Sequence, residues 1–288
     1  MSSEAPPPPA HLEEALDAFA TSLQGVHRLG VAYSGGVDSS VLLALALRLL
    51  GRGEVVAITG VSPSLAARDR SRARAVAEGL GATMVEVRTH EMDRDDYRRN
   101  GVDRCYFCKD ELFSVISDDL VDEHRLDAVA YGENADDALR PDRPGAGAAT
   151  EHRVLRPLAE AGMDKSTVRE VAAWLGLPTA DTPASPCLAS RIPHHHEVTP
   201  EKLSQVEQAE DAVLALGIPD VRVRHHGDLA RIEVPVEHLA TLLDARGELT
   251  RTLRRIGFRH VTVDLDGLRS GVFTLDALRL GAPRGGPS

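Results

Sequence analysis

The chain has 288 residues, with 33 Lys and Arg against 44 Asp and Glu, a formal net charge of −11. Apolar residues make up 42% and charged residues 27%, which excludes a largely disordered chain, and the acidity counts against broad nucleic-acid binding. No run reaches the ~18 apolar residues of a membrane span. The N-terminus shows no basic-then-apolar leader, so the expectation is a cytoplasmic protein of about two domains.

After Pro6–Pro9, Leu12, Ala15, Leu16, Phe19 and Leu23 recur at helical spacing and predict a first helix behind a disordered lead-in. Leu29–Tyr33 reads as a short apolar strand, followed by Ser34-Gly35-Gly36-Val37-Asp38-Ser39-Ser40 and an apolar helix to about Leu50. Strands at Glu54–Thr59, Thr83–Val87 and Leu126–Tyr131 alternate with helices at Arg68–Leu80 and Lys109–Val121. Such alternation predicts an α/β fold, a parallel sheet with helices on both faces.

Arg140–Thr150 reads as a flexible loop and Asp164–Leu175 as a helix capped by Asp164 or Ser166. Thr182–His196 carries Pro183, Pro186 and Pro193 and is expected to be extended. A small second α/β unit starts at the Thr199-Pro200 cap, with a helix to Leu216 and strands at Val221–His225, Leu229–Val234 and His260–Leu265. Helices near Val236–Leu243 and Glu248–Ile256 lie between the last two strands. The expected organisation is a lead-in and first helix over residues 1–24, a nucleotide-type domain over 25–196, a small domain over 197–270 and a tail over 271–288.

The Ser34–Ser40 turn joins a buried strand to a helix start. Two glycines let the backbone approach a ligand, Ser34, Ser39 and Ser40 add donors, and the helix N-terminus favours an anion. No lysine precedes the serine, so the turn is not a Walker loop. It suits pyrophosphate as leaving group, with Asp38 placed to hold magnesium. The heptapeptide resembles the PP-loop of the ATP pyrophosphatases, which cleave ATP between the α- and β-phosphates to adenylate a substrate. Asn134, Asp136 and Asp137 fall where the fourth strand ends, the edge at which open α/β sheets bind ligands, and so are candidates for the ATP or metal site.

The three cysteines are Cys105, Cys108 and Cys187. Cys105-Tyr-Phe-Cys108 puts two thiolates within reach of one centre, just ahead of a helix, and Cys187 lies in the proline-rich loop. Spacing alone leaves four readings open. They are a [4Fe–4S] cluster with one open iron, a Cys₃His zinc site using His194, His195 or His196, a Cys105–Cys108 disulfide, and small buried apolar cysteines.

If Gly227-Asp228 is a two-residue turn, Arg222 faces Glu233, Arg224 faces Arg231 and His226 faces Leu229. One face of that hairpin is then apolar and the other charged, as in a half-exposed pair. Arg224 opposite Arg231 needs solvent or an anion between them. Arg68, Arg70, Arg72 and Arg74 read as a solvated helix face, not an RNA track, because no aromatics interleave them. Trp174 on an apolar helix face reads as core.

Several segments together resemble the LarE family, ATP-dependent sulfur transferases that build the nickel-pincer nucleotide of lactate racemase. They are Pro186-Cys187-Leu188-Ala189-Ser190-Arg191-Ile192-Pro193, Gly132-Glu133-Asn134-Ala135-Asp136-Asp137, Arg222-Val223-Arg224 and Ala230-Arg231-Ile232-Glu233. Some members give up the sulfur of the single cysteine, leaving dehydroalanine; others hold a [4Fe–4S] cluster on three thiolates, which Cys105, Cys108 and Cys187 match. After Pro193 the family usually has Tyr-Gly, and His194-His195 here keeps zinc open as the alternative metal.

The resemblance implies adenylation of the carboxylates of pyridinium-3,5-biscarboxylic acid mononucleotide, then conversion to thiocarboxylates with a cluster-bound sulfide. ATP and Mg²⁺ are the further cofactors implied. Ser190, Arg191, Arg222, Arg224 and Glu233 become substrate-site candidates, the two strand arginines for the substrate phosphate with Glu233 orienting Arg222, and Glu210 a metal ligand. A homo-oligomer, such as a hexamer, is implied, with the pyridinium carboxylase and the nickel-inserting enzyme as functional neighbours. The rival functions are a PP-loop tRNA thiolase, a non-catalytic ATP or iron–sulfur sensor and an amide ligase.

Overall fold

The computed structural model describes residues 7–139, 145–183 and 185–269. The chain divides into two compact units, Met1–Glu91 with Cys105–Ser185, and Met92–Arg104 with Pro186–Ser288.

The first unit is built on four parallel strands, β1 (Leu29–Ala32), β2 (Val55–Val61), β3 (Thr83–Arg88) and β4 (Ala128–Tyr131), in the order β3-β2-β1-β4. Their alternating residues feed two cores. Leu29, Val31, Val55 and Ala57 join one with the Val37–Leu50 helix, while Val56 and Ile58 join Phe113, Ile116 and Tyr131 on the opposite face. Burial on both faces explains why these strands read as continuous apolar runs. The order reverses between β1 and β4, so the loops after those strands diverge at one edge, where open sheets bind ligands.

Several expectations are corrected. The helix bearing Cys105 and Cys108 begins at Arg104, so both thiols lie within it and not ahead of it. That helix passes through a π-turn at Ile116–Leu120 before a last turn at Val121–Glu123. Within the supposed loop at 140–150, Gly145–Glu151 forms a helix despite two glycines, with Ala148 and Ala149 fully buried; residues 140–144 lie outside the described residues. Leu188–Arg191 makes a 3₁₀ turn inside the proline-rich segment. Trp174 packs at the rim of the core, with the Arg48 guanidinium 5.3 Å from its ring centre. The expected tail at 271–288 and most of the lead-in also lie outside the described residues.

The second unit pairs β5 (Arg222–His226) antiparallel with β6 (Leu229–Glu233), and β6 parallel with β7 (His260–Val263). The hairpin register is the expected one, Arg222 opposite Glu233 and Arg224 opposite Arg231. Val223, Ala230 and Ile232 pack with Ala209 and Val213 of the Pro200–Leu214 helix and with Leu253 and Phe258. Thr199 caps that helix, its hydroxyl accepting the Lys202 amide at 3.3 Å. Among the described residues, no helix is long and apolar enough to cross a membrane.

Candidate active site

In the first unit, β1 ends in the glycine turn. Gly35 takes φ +72°, and a Cβ there would lie 2.8 Å from the Ala73 backbone, so only glycine fits. Gly36 is the N-cap of the Val37–Leu50 helix and has no side chain to cap it. The first-turn amides therefore lack intrahelical acceptors, the arrangement that receives an anion. The serines divide the work: the Ser39 hydroxyl lies 3.1 Å from that of Ser34 and donates to the Gly36 carbonyl. Ser40 is fully buried, with its hydroxyl 3.5 Å from the Tyr33 hydroxyl, where it braces the turn.

β4 ends against the same turn. A Cβ on Gly132 would fall 2.7 Å from the Ser39 nitrogen, so the two backbones touch. Next to it, Asn134 is buried, donates to Asp38 at 2.9 Å and to Asp137 at 3.1 Å, and accepts the Asp137 amide as a helix N-cap. The other Asp38 oxygen meets the Lys165 ammonium at 2.5 Å, while the Lys165 amide donates to Asp136 at 2.9 Å. Sequence reasoning misses Lys165. It is 127 positions from Asp38, and its one local signal is that it follows the Asp164 cap, which accepts the Thr167 amide.

On the arginine-rich helix Ala67–Leu80, Arg70 and Arg74 pair with Glu86 and Arg72 with Asp69. Lys109, directly after Cys108, lies 4.0 Å from the centre of the Tyr131 ring. Burial and the adjacent Glu133 carboxylate push the Tyr131 phenol well above its ordinary range.

All three cysteines are free thiols; Cys105 and Cys187 are exposed and Cys108 half-buried. Cys105 and Cys108 belong to the first unit and Cys187 to the second. Within the first unit, Cys105 and Cys108, about one helical turn apart, are a thiol pair of the chemistry that iron–sulfur centres use. Among the described residues, no three His, Cys, Asp or Glu side chains are gathered as a ready metal centre. The His194 ring is half-buried against the Asn100 carbonyl, and burial holds its pKa below the usual value.

The charged face of the hairpin is not solvated. Arg222, Arg224 and Glu233 are 7%, 5% and 1% exposed. Glu233 does not orient Arg222: it accepts from Arg224 at 2.8 and 3.0 Å and from Arg231 at 3.1 Å. The anion needed between the opposed arginines is thus supplied diagonally by the protein itself. Arg222 pairs with Asp220, and burial together with nearby Arg191 pushes its guanidinium pKa down.

Arg191 is itself buried, and its Nε donates to Glu210 at 2.8 Å. Glu210, fully buried, also accepts the Val223 amide at 3.1 Å. Engaged in this way, Glu210 acts as a brace within the protein, not as an open metal ligand. Ser190 accepts from Arg191 at its hydroxyl and from Arg224 at its carbonyl.

The sequence matches the asparagine synthase family model over residues 11–115. It is 42% identical over 262 residues to an uncharacterized protein of Synechocystis, covering 90% of this chain and 97% of that protein. An uncharacterized protein of Methanocaldococcus jannaschii is 28% identical over 240 residues, covering 83% and 90%. The pyridinium-3,5-bisthiocarboxylic acid mononucleotide synthase of Lactiplantibacillus plantarum is 35% identical over 250 residues, 87% of this chain and 90% of that enzyme. With that likeness along nearly the whole chain, and a PP-loop built as the nucleotide chemistry requires, the protein belongs to the LarE family of ATP-dependent sulfurtransferases.

Proposed function

We propose that this enzyme converts the carboxylates of a pyridinium-3,5-biscarboxylic acid mononucleotide to thiocarboxylates, as the name of its Lactiplantibacillus relative indicates for that protein. The observation that carries the reading is the uncapped helix start at Gly36, flanked by the Asp38–Lys165 pair. A carboxylate is a poor electrophile, and adenylation gives it a leaving group. A substrate carboxylate oxygen attacks the α-phosphorus of ATP, the bond to the bridging oxygen breaks and pyrophosphate leaves. Sulfide then attacks the acyl carbon, the carbon–oxygen bond to AMP breaks, and the thiocarboxylate and AMP are released.

The Val37, Asp38 and Ser39 amides would hold the departing pyrophosphate, assisted by Ser34, Ser39 and Lys165. Asp38, which accepts from Asn134, itself fixed by Asp137, would hold magnesium. Cys105, Cys108 and Cys187 would hold a [4Fe–4S] cluster, which would supply the sulfide and leave Cys187 intact. Arg222 and Arg224, with Ser190, would take the mononucleotide phosphate, with Glu233 steadying Arg224. The enzyme is proposed to act as a cytoplasmic homo-oligomer between a pyridinium carboxylase and a nickel-inserting enzyme.

The test is anaerobic incubation with ATP, sulfide and the biscarboxylate mononucleotide, followed by counts of pyrophosphate, AMP and thiocarboxylate and the mass of the Cys187 peptide. Pyrophosphate and thiocarboxylate formed over many turnovers with Cys187 unchanged is the expected result. Dehydroalanine at Cys187 would overturn the cluster as sulfur source. Absence of pyrophosphate release with this substrate would overturn the substrate assignment.

A further inference from the structure

The segment Pro186–His196 carries the Cys187 thiol but little regular structure. Pro186 and Pro193 have no N–H, and backbone amides of Ser190, Ile192 and His196 reach the carbonyls of Cys187, Ala189 and Pro193. Backbone bonding this sparse does not hold the loop alone, and a carbonyl can accept a second bond, so something else must supply further donors. Side chains of the same unit do. Arg191 Nη1 donates to the Pro186 carbonyl and, at 3.1 Å, to that of Cys187. Arg104 Nη1 donates to the Ala189 carbonyl at 2.9 Å and to Asn100 Oδ1 at 2.6 Å. The Asn100 amide, fully buried, is shared among the carbonyls of Ile192, Pro193 and His196.

We propose that Arg191, braced by Glu210, and Arg104 are positioning residues that fix the backbone of Cys187, so that the thiol presents one geometry. A single guanidinium grips the carbonyls on both sides of the Cys187 peptide nitrogen while its other edge is locked to Glu210. Glu210 in turn holds the Val223 amide, between Arg222 and Arg224. One connection therefore runs from the thiol's own backbone, through the buried Arg191–Glu210 pair, to the arginine strand. Arg104 works from the other flank of the loop and is also the residue before Cys105. A lysine cannot reproduce either contact set, because its ammonium is a single point on a flexible stem and not a planar fork.

The consequence for turnover rests on the sulfur-transfer reading above, whereas the positioning itself does not. The experiment therefore measures both. In the full-length, metal-free chain, the rate of iodoacetamide modification is followed by peptide mass at Cys187 and, as internal control, at Cys105. Arg191→Lys should shift the Cys187 rate severalfold and leave the Cys105 rate unchanged, and Arg104→Lys, read at Cys187 against wild type, should act in the same sense but less. In sulfur transfer, kcat should fall about 10- to 100-fold while KM for ATP holds, as expected when a reacting group is misplaced.

If Arg191→Lys does not fold, Glu210→Gln, which keeps the volume and an acceptor for Val223, gives the deciding rate. An unaltered ratio of Cys187 to Cys105 modification in the folded variant overturns the proposal. A shifted ratio in a protein whose wild type transfers no sulfur upholds the positioning and overturns the function.

Discussion

Asp38 meets Lys165 at 2.5 Å with side chains still 21% and 38% exposed, whereas Arg191 meets Glu210 at 2.8 Å with both all but sealed from water. The first pair stands at an uncapped helix start and can exchange its partner for a phosphate or a metal at small cost. The second is closed by further bonds to backbone and can exchange nothing cheaply, because an ion left alone in the interior is strongly penalised. Charge near the glycine turn is available for chemistry, and charge around Arg191 holds shape.

The largest expected effect tests the sealed pair. Glu210→Ala leaves the Arg191 guanidinium buried without its carboxylate and should cost about 3–5 kcal/mol of unfolding free energy by urea titration. The paired replacement Arg191→Met with Glu210→Leu should recover part of it, since well-packed apolar groups can replace a buried ion pair but leave the Val223 amide without its acceptor. A cost of only about 1 kcal/mol for Glu210→Ala would mean that water already reaches the pair, and the contrast would fail.

Lys165→Met tests the available pair. The ammonium is expected to act on phosphate oxygens in the transition state, where removal of one such donor costs about 100-fold in kcat. Because both partners are partly exposed, the urea midpoint should barely move. A large loss of stability with kcat intact would make Lys165 a structural residue like Arg191 and erase the difference between the two regions.

What could be read in advance follows the same division. The parallel sheet was legible because each strand is a short apolar run bounded by turn residues, and the β5–β6 register because Gly227-Asp228 admits one pairing. The PP-loop was legible because its function is carried by contiguous backbone. The burial of Arg222, Arg224 and Glu233 was not, since alternation shows which residues share a face and not what covers it. The Asp38–Lys165 contact joins residues 127 apart, and the Met92–Arg104 excursion into the second unit leaves no local pattern. The Gly145–Glu151 helix was hidden by glycines that its tertiary packing tolerates.

The smallest effect tests whether surface charge in the first unit behaves like the available pair or the sealed one. Glu86 on β3 accepts from Arg70 at 2.6 and 3.0 Å and from Arg74 at 2.8 Å. Those two arginines are one turn apart on a helix and would repel without it. Hydrogen bonding to Arg70, above all, lowers the Glu86 carboxyl from 4.5 to about 2. A folded-state pKa below the unfolded value stabilises the fold above the unfolded value, and the contribution fades as pH falls through the window from about 4.5 to about 2. Glu86→Gln should therefore lower the urea midpoint slightly at neutral pH, with the gap to wild type closing across that window. The gap should also shrink in high salt, because these arginines reach into solvent. A gap that persisted in strong acid would show that Glu86 acts through packing, and the surface charge of the first unit would then serve shape just as the Arg191–Glu210 pair does.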